Sequence, residues 1–476
     1  MSATRLIVGS AIHELQALPA GSVDLVVTSS PFLGVRDYLP ADHPMKAYEL
    51  GVGGSPASFV SDLLDVAEAC AHALAPHGTL VWELGDSMAG SGGAGGDYYN
   101  ADGQRAGQPK PPGGAALERA MTKGRARSGH DVPAHAMRPA VAAKATAGSH
   151  GRVDEHTNRR PGVPPQRAYG PCWPTAKSHT MVPEMFRMAM AYGLQPYTDR
   201  ACTQWIVRNV VRWCKPNPSV GDEGDKYRRA TTDLVVAALQ ADRYWDPVGA
   251  RGPARTNATD TAPLYDWWEV STGNYSGAHF ATWPVEIVNP FVASLCPPRV
   301  CTTCGEPARR IVRTSDDYAD ARAPGDMFAT LTGENDRGSG RNGAKGGLVA
   351  TELEPLGWTW CGHGGVAHQL DLASKADWRA AGKPRWPMVR IGATFAGYLA
   401  PGCTVTSGDH QGAGRRGVVL DPFAGSGTTL AAASGAGRDA IGIELLDDHA
   451  ELARQRLGMF VSIEHGTAHL ADEAAS

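Results

Sequence analysis

The sequence has no apolar run that approaches the roughly 18 residues of a membrane span, and its first residues lack the apolar region of a signal peptide. Its nine cysteines include only one close pair, Cys301 and Cys304, which disfavours a disulfide scaffold and indicates a metal site instead. Neither sign of charge dominates, because 45 Lys and Arg face 49 Asp and Glu. The net charge of −4 excludes a protein that holds a polyanion by bulk charge, but a local basic surface is compatible with it. We expect a cytoplasmic protein without a membrane partner.

Length and composition favour a globular protein with long irregular regions. A chain of 476 residues predicts roughly two to four domains. Gly (57) and Pro (34) make up roughly a fifth of the residues, against a usual share of about 12%. Hydrophobic residues reach 42% and include 12 Trp, which is enough for a sizeable core. A wholly disordered or fibrous protein is therefore excluded.

The pattern of short apolar segments and amphipathic helices predicts an α/β fold with a parallel sheet and crossover helices. Two stretches break this pattern. The first, 91–180, is rich in Gly, Pro, Ala and Arg, and it predicts a basic, disordered insertion whose arginines either contact phosphates or are solvated. The second, 297–417, is irregular and contains the cysteine pair.

A glycine-rich turn is the strongest local signal. An apolar strand ends at Asp421-Pro-Phe-Ala-Gly425-Ser-Gly427 and opens a helix, so that a ligand can approach bare backbone at the helix amino end. No Lys follows Gly427, which disfavours a P-loop, and the pattern is not GxGxxG. The next strand ends at Glu444, where an acid can bind ribose hydroxyls. Turn and acid together predict an adenosyl cofactor; a tight turn beside a solvated Glu is the alternative.

A second signal lies at the end of the buried strand SVDLVV, where Thr28-Ser29-Ser30-Pro31-Phe32 follows. Ligands of open α/β sheets bind outside the carboxyl ends of the strands, so polar side chains, a Pro-fixed turn and an aromatic ring there indicate a site. Taken alone, a simple strand-ending turn explains the segment equally well.

The order TSSPF first and DPFAGSGTT later resembles the beta class of DNA amino-methyltransferases, in which the target-base motif precedes the S-adenosylmethionine motif. Family members typically read TSPPY or TSPPF, and SPPY-type motifs are usual for cytosine N4 enzymes. Ser30 replaces the first Pro of that motif, and Ser10 stands where the family commonly has Asp. WCKPNP (213–218) and SGAHFATWP (276–284) also match family segments. The resemblance implies a Rossmann-like methyltransferase sheet that carries two irregular insertions.

The resemblance also implies the site residues. The catalytic residues would be Ser29, Ser30, Pro31 and Phe32. The residues that bind S-adenosylmethionine would be Ser10, His279, Phe280, Asp421, Phe423, Gly425, Ser426, Gly427, Thr428 and Glu444. The implied division is a catalytic half with the target-base motif (1–90), the basic insertion (91–180), the rest of the core (181–296), the Cys-containing insertion (297–417), the cofactor-binding half (418–465) and a tail (466–476).

The residue types suit amino methylation. An exocyclic amine is buried in duplex DNA, so the base must leave the stack, and a ring such as Phe32 can then stack on it. Hydrogen bonds from the amino group to the Ser29 hydroxyl and the Ser30 carbonyl would aim its nitrogen at the methyl donor without a covalent intermediate.

We therefore expect a site-specific methyltransferase that acts on cytosine N4 in double-stranded DNA, of the kind found in restriction–modification systems. Adenine N6 is the first alternative and a catalytically silent DNA-binding protein is the second; RNA or a small molecule is a further acceptor that the fold allows. A cytosine C5 enzyme needs a Cys nucleophile, and Cys172 in the basic insertion is a poor candidate.

The cysteine pair predicts a structural metal site. Cys301 and Cys304 are spaced to share one tetrahedral ion, and Cys361 with His363 can complete it. A zinc ribbon is the preferred interpretation, with Cys296 and Cys403 as spare ligands and free cysteines as the alternative.

Overall fold

The computed structural model describes most of the chain, in these ranges: 2–34, 38–40, 42–52, 54–89, 173–175, 178–196, 198, 200–218, 227–251, 264–272, 283–314, 353–384, 386–410, 412–458 and 461–466. The predicted disorder of 91–180 falls mainly outside these ranges. Among the described residues no helix is both long and apolar enough to cross a membrane.

The described residues form seventeen strands, seven α-helices and one short 3-10 helix (Pro44–Tyr48). The strands are β1 (Thr4–Val8), β2 (Val23–Ser29), β3 (Leu74–Leu84), β4 (Ile206–Cys214), β5 (Thr231–Ala238), β6 (Trp267–Glu269), β7 (Arg299–Cys301), β8 (Arg310–Thr314), β9 (Leu353–Trp358), β10 (Gln369–Leu370), β11 (Met388–Ile391), β12 (Thr394–Tyr398), β13 (Val405–Thr406), β14 (Gly414–Arg416), β15 (Val418–Asp421), β16 (Asp439–Glu444) and β17 (Val461–His465). The α-helices are α1 (Ala11–Ala17), α2 (Pro56–Ala73), α3 (Val182–Tyr192), α4 (Val285–Leu295), α5 (Lys375–Ala380), α6 (Thr428–Gly435) and α7 (Asp447–Leu457).

Nine strands form one mixed sheet in the order β17-β1-β16-β15-β2-β3-β5-β4-β6. Every pair is parallel except those that β5 makes with β3 and β4. Parallel strands need helices on both faces, and the central strands are accordingly buried along their length. The predicted α/β fold is confirmed, but the predicted parallel sheet is wrong at β5, which runs antiparallel to both of its neighbours.

Two apolar cores cover the two faces of this sheet. One packs α1, α2 and α3 against residues such as Val26 and Trp82. The other packs α4, α6 and α7 against residues such as Val27 and Val419. The neighbours Val26 and Val27 enter opposite cores, as the two-residue period of a strand requires.

Two elements differ from the pattern in the sequence. The segment Pro76-His77-Gly78 predicts a break between helix and strand, but β3 already starts at Leu74, because buried Leu74 pairs with Val23 of β2 and the register shifts just after it. Strand β17 was not predicted; its short, half-exposed residues carry little apolar signal, and it forms by adding to the edge of β1.

The Cys-containing insertion forms its own small four-stranded sheet, β12-β11-β8-β9. It leaves and rejoins the main chain through an antiparallel two-stranded ribbon, in which Val300 of β7 pairs with Arg415 of β14. Arg415 donates to the buried carboxylate of Asp24 at the start of β2, at 2.5 and 3.0 Å. The insertion therefore packs at the amino edge of the main sheet, the edge from which the parallel strands begin.

Candidate functional site

The carboxyl edge of the main sheet encloses an open cavity of about 1320 Å³. It lies where β1, β2, β3, β15 and β16 end, the position at which open α/β sheets bind ligands. Both sequence signals reach it, although TSSPF and the glycine-rich turn are almost 400 residues apart. No described residue of 297–417 lines it.

Ser29 lies at the floor of this cavity. Its hydroxyl donates a hydrogen bond of 2.5 Å to Oε2 of Glu83, which is 2% exposed on the neighbouring strand β3. The parallel register that places Ser29 opposite Glu83 fixes this contact. Burial of the ammonium group lowers the pKa of Lys215. The negative charge of nearby Glu83 acts in the opposite direction. A carboxylate thus holds the Ser29 oxygen in one orientation and leaves its lone pairs available as acceptors.

Phe32 follows the Pro31 turn and lines the same cavity. Its ring lies directly against Gly85, since a Cβ built on that glycine would come within 2.5 Å of the ring. The glycine in the VWELGD segment thus makes room for the aromatic face beside Ser29.

The glycine-rich turn presents its backbone to the cavity. Gly425 has φ +50, and a Cβ there would meet nothing closer than 3.9 Å, so the backbone is bare on that side. The Gly425 N–H donates to Oε2 of Glu444 at 2.8 Å, and the Leu446 N–H donates to Oε1 at 3.1 Å. His449 Nδ1 lies 3.4 Å from the same Oε1. A carboxylate has about four lone-pair sites, so Glu444 still has acceptor capacity for a ligand hydroxyl.

Arg456 of α7 fixes the far side of the turn. Its guanidinium donates to the hydroxyls of Ser426 at 3.0 Å and Thr428 at 2.8 Å. One side chain of the turn, Ser426, and the first side chain of α6, Thr428, are thereby held, while the backbone at Gly425 stays open to the cavity. No sequence motif identifies Arg456, because it lies 28 residues after Thr428.

Asp421 lies beneath the turn and does not line the cavity. Its Oδ1 accepts hydrogen bonds from the Thr28 hydroxyl at 2.6 Å and the Phe423 N–H at 3.1 Å. It thereby ties the two motifs together. Complete burial raises the pKa of Asp421 to about 6, although these hydrogen bonds act to lower it.

Because the folded-state pKa of Asp421 exceeds the unfolded value, its protonated form favours folding, and that stability is lost as the pH rises through about 6. Asp421→Asn removes this titration. We expect the free energy of unfolding of the wild type to fall relative to Asp421→Asn by up to ~3 kcal/mol between pH 4 and pH 8. Urea unfolding of both proteins across this range measures the difference; a difference that stays constant with pH contradicts the prediction.

The four predicted metal ligands come together at the Cys301 end of the β7–β14 ribbon. The ligand atoms of Cys301, Cys304, Cys361 and His363 all lie within 4.8 Å of one another. His363 Nδ1 is 3.7 Å from Cys301 Sγ and 3.3 Å from Cys361 Sγ. Zn–S bonds of about 2.3 Å in a tetrahedron place ligand atoms roughly 3.8 Å apart, so the residues present fit such an ion. Cys296 is buried in a main-sheet core, outside this cluster.

Most of the predicted site residues line the cavity. It is lined by Ser10, Ser29, Ser30, Pro31, Phe32, Phe423, Gly425, Ser426, Thr428 and Glu444. Asp421 lies beneath the cavity, and Gly427 lies at the start of α6. His279 and Phe280 lie outside the described residues. Glu83 was not predicted as a site residue. Its sequence signal is a carboxylate near the end of a mostly apolar strand.

Comparisons with known proteins find several methyltransferases that are similar to this chain. The family model described as DNA methylase, N6_N4_Mtase, matches residues 411–455. The Type II methyltransferase M.Cfr9I of Citrobacter freundii is 25% identical over 299 residues, which cover 63% of this chain and 74% of that protein. The Type II methyltransferase M.XycI of Xanthomonas campestris pv. cyanopsidis is 24% identical over 284 residues, 60% of this chain and 70% of that protein. Among solved structures, the cytosine-N4-specific PvuII DNA methyltransferase aligns with a TM-score of 0.42 at 10% identity, over 96% of this chain and 88% of that one.

Proposed function

We propose that this chain, a relative of the N4/N6 DNA amino-methyltransferases, transfers a methyl group from S-adenosylmethionine to the N4 amino group of cytosine in double-stranded DNA. The observation that carries the proposal is the meeting of the TSSPF turn and the glycine-rich turn at one cavity. Neither segment alone distinguishes a ligand site from a structural turn.

The residues around the glycine-rich turn fit an adenosyl cofactor. The turn offers bare backbone at Gly425, and the Glu444 carboxylate beside it keeps acceptor capacity for a ribose hydroxyl. Ser10 is buried at the end of β1 and lines the same side of the cavity. When bound, S-adenosylmethionine supplies an electrophilic methyl group on a positively charged sulfur.

The residues around TSSPF fit an extruded base. Phe32 offers a stacking face, and the Ser29 oxygen, held by its bond to Glu83, can accept a hydrogen bond from the amino group of the base. Holding the amino group in this way directs its nitrogen lone pair out of the ring, toward the cofactor side of the cavity. The serine of the SPPY-type motif favours cytosine as the target.

The proposal is tested by incubating the protein with methyl-labelled S-adenosylmethionine and unmodified duplex DNA of mixed sequence, followed by nucleoside analysis. We expect N4-methylcytosine. N6-methyladenine as the only product would overturn the cytosine assignment. Label in RNA but not in DNA would overturn the acceptor, and absence of both label and calorimetric affinity for S-adenosylmethionine would leave a DNA-binding protein without catalysis.

We also propose that the Cys301, Cys304, Cys361 and His363 cluster holds one structural zinc ion. Four protein ligands leave no open position for water, so the ion would stabilise the insertion and take no part in methyl transfer. Its position at the amino edge, away from the cavity lining, agrees with a structural role.

Metal analysis checks the zinc proposal. Purified protein is expected to contain about one zinc per chain, and Cys304→Ser is expected to lose most of it because removal of one of the four ligands weakens the binding of the ion. Cys403→Ser serves as the matched control, since Cys403 lies outside the cluster, and it should retain the metal. A metal-free wild type purified without chelators would refute the site.

A further inference from the structure

Two cationic side chains line the cavity on the side of β3 that faces away from the glycine-rich turn. Lys215 directly follows β4, Arg229 comes two residues before β5, and both line the cavity. The strands β4 and β5 are antiparallel neighbours, so the end of one and the start of the other meet at the carboxyl edge of the sheet. The Lys215 N–H donates to the Ala230 carbonyl at 2.6 Å, which places Lys215 beside the residue that follows Arg229.

The surroundings of Lys215 hold its ammonium group in place. Its Nζ lies 4.2 Å from the centroid of the Trp213 ring, which is a cation–π contact. The ring is fixed in turn by its N–H, which donates to the Val270 carbonyl at 2.7 Å. Two residues after Lys215, the Asn217 amide donates to the Thr272 carbonyl at 3.3 Å and accepts from the Thr272 N–H at 2.9 Å. The lysine is therefore positioned at the cavity by both its ring contact and its backbone.

Arg229 is held at the end of β3. Its exposed guanidinium donates through Nη1 to the backbone carbonyl of Asp86. The Asp86 carboxylate is engaged elsewhere, because it accepts from His179 at 2.7 Å and from Thr180 at 2.5 Å. Within the part of the chain that the structure describes, no carboxylate forms an ion pair with Lys215 or Arg229. Both cations therefore have donors left for an anion in the open cavity.

The order of the strands puts an extruded base between the cofactor turn and these cations. The glycine-rich turn follows β15, Ser29 ends β2, and the two cations lie at β4 and β5, beyond β3. Two strand spacings, roughly 10 Å, separate Ser29 from β5. In cytosine, the amino group and the ring nitrogen that carries the sugar lie on opposite sides of the ring. A base whose amino group faces the cofactor therefore directs its sugar and phosphates toward the side of Lys215 and Arg229.

We propose that Lys215 and Arg229 bind the phosphodiester next to the extruded nucleotide and thereby position its base. The inference rests on the proposed function, which supplies the nucleic-acid strand. Ammonium and guanidinium groups are well suited to phosphate oxygens, and such contacts fix the register of a strand without reading its sequence. The carboxylate of S-adenosylmethionine is a second anion of this cavity, but the cofactor turn is three strand spacings, roughly 14 Å, from β5.

Binding to a fluorescently labelled single-stranded oligodeoxycytidylate tests the site without methyl transfer. Its bases are unpaired, so one of them can enter the cavity without the cost of extrusion from a duplex. Each phosphate contact contributes about 0.7 to the slope of log K against log salt for a single strand. We expect the slope to be less steep by this amount in Lys215→Gln and in Arg229→Gln. Arg229→Lys keeps the charge and should keep the wild-type slope.

Arg208→Gln is the matched control, because exposed Arg208 lies near the other end of β4 and does not line the cavity. Its slope should equal that of the wild type. The site is overturned if Lys215→Gln and Arg229→Gln both keep the wild-type slope, or if Arg208→Gln loses as much as they do. An unchanged slope with weaker calorimetric binding of S-adenosylmethionine in both variants also overturns it, and assigns the cations to the cofactor carboxylate.

Methyl transfer to duplex DNA separates this site from the proposed function. Both Gln variants are expected to raise the KM for DNA by about 10-fold, with a smaller effect on kcat and none on the KM for S-adenosylmethionine. If the slopes change as expected but the wild type methylates no DNA, the proposed function fails and the phosphate contact stands. If both variants methylate DNA with the wild-type KM, the phosphate contact fails and the proposed function stands.

Discussion

Ser29→Ala is expected to reduce the proposed methyl transfer to cytosine by about 100-fold or more, mainly in kcat, because removal of one preorganised hydrogen-bonding group typically costs this much. The hydroxyl is anchored to Glu83 at 2.5 Å, so its loss removes an acceptor that is held in one orientation. The KM for S-adenosylmethionine should change little, since Ser29 does not contact the glycine-rich turn that would hold the cofactor. Single-turnover rates with a fixed duplex, together with cofactor titrations, measure the two effects separately.

Ser22→Ala is the matched control for this experiment. Ser22 also has a buried hydroxyl, but it lies before β2 at the opposite edge of the sheet, and its variant should keep full activity. Equal rates for wild type and Ser29→Ala would remove the assigned role of this serine. A matching loss in both variants would indicate a structural effect.

Asp24→Asn is expected to lower the free energy of unfolding by about 3 kcal/mol or more, because breaking a buried ion pair leaves an uncompensated charge. Asp24 is fully buried and accepts from His77 at 2.9 Å, from Arg415 and from the Val418 N–H at 2.7 Å. These contacts join β2, β3, the insertion ribbon and the start of β15. Urea unfolding at pH 7 measures the loss, with the exposed Asp266→Asn as control.

The pH dependence of this effect is opposite to that of Asp421. Burial alone would raise the pKa of Asp24, but the hydrogen bonds from His77 and Arg415, with their charges, outweigh it and lower the pKa. The stability that Asp24 contributes is therefore present above the unfolded pKa near 4 and is lost as the pH falls through the lower folded value. The gap between wild type and Asp24→Asn should close below about pH 4. A gap that persists at low pH would contradict the ion-pair explanation.

The sequence predicts those parts of the site that depend on local pattern. The strand, turn and helix at 418–435 are predicted from one continuous segment of apolar residues with two glycines at the turn. The TSSPF turn is predicted because it comes directly after one buried strand. Glu83 and Arg456 could not be assigned in this way, because the first acts through strand register and the second through the packing of a distant helix.

Because β7 and β14 pair with each other, the segment between them could be removed without separating the two points where the insertion joins the main sheet. The chain enters at Val300 and returns at Arg415 in one antiparallel pair, so a two-residue Asn-Gly turn placed between them would close a β-hairpin. Such a shortened protein would lose the metal cluster yet keep Arg415 opposite Asp24 and every described residue that lines the cavity. Without the insertion, the chain would pass from α4 through this hairpin directly into β15 of the main sheet.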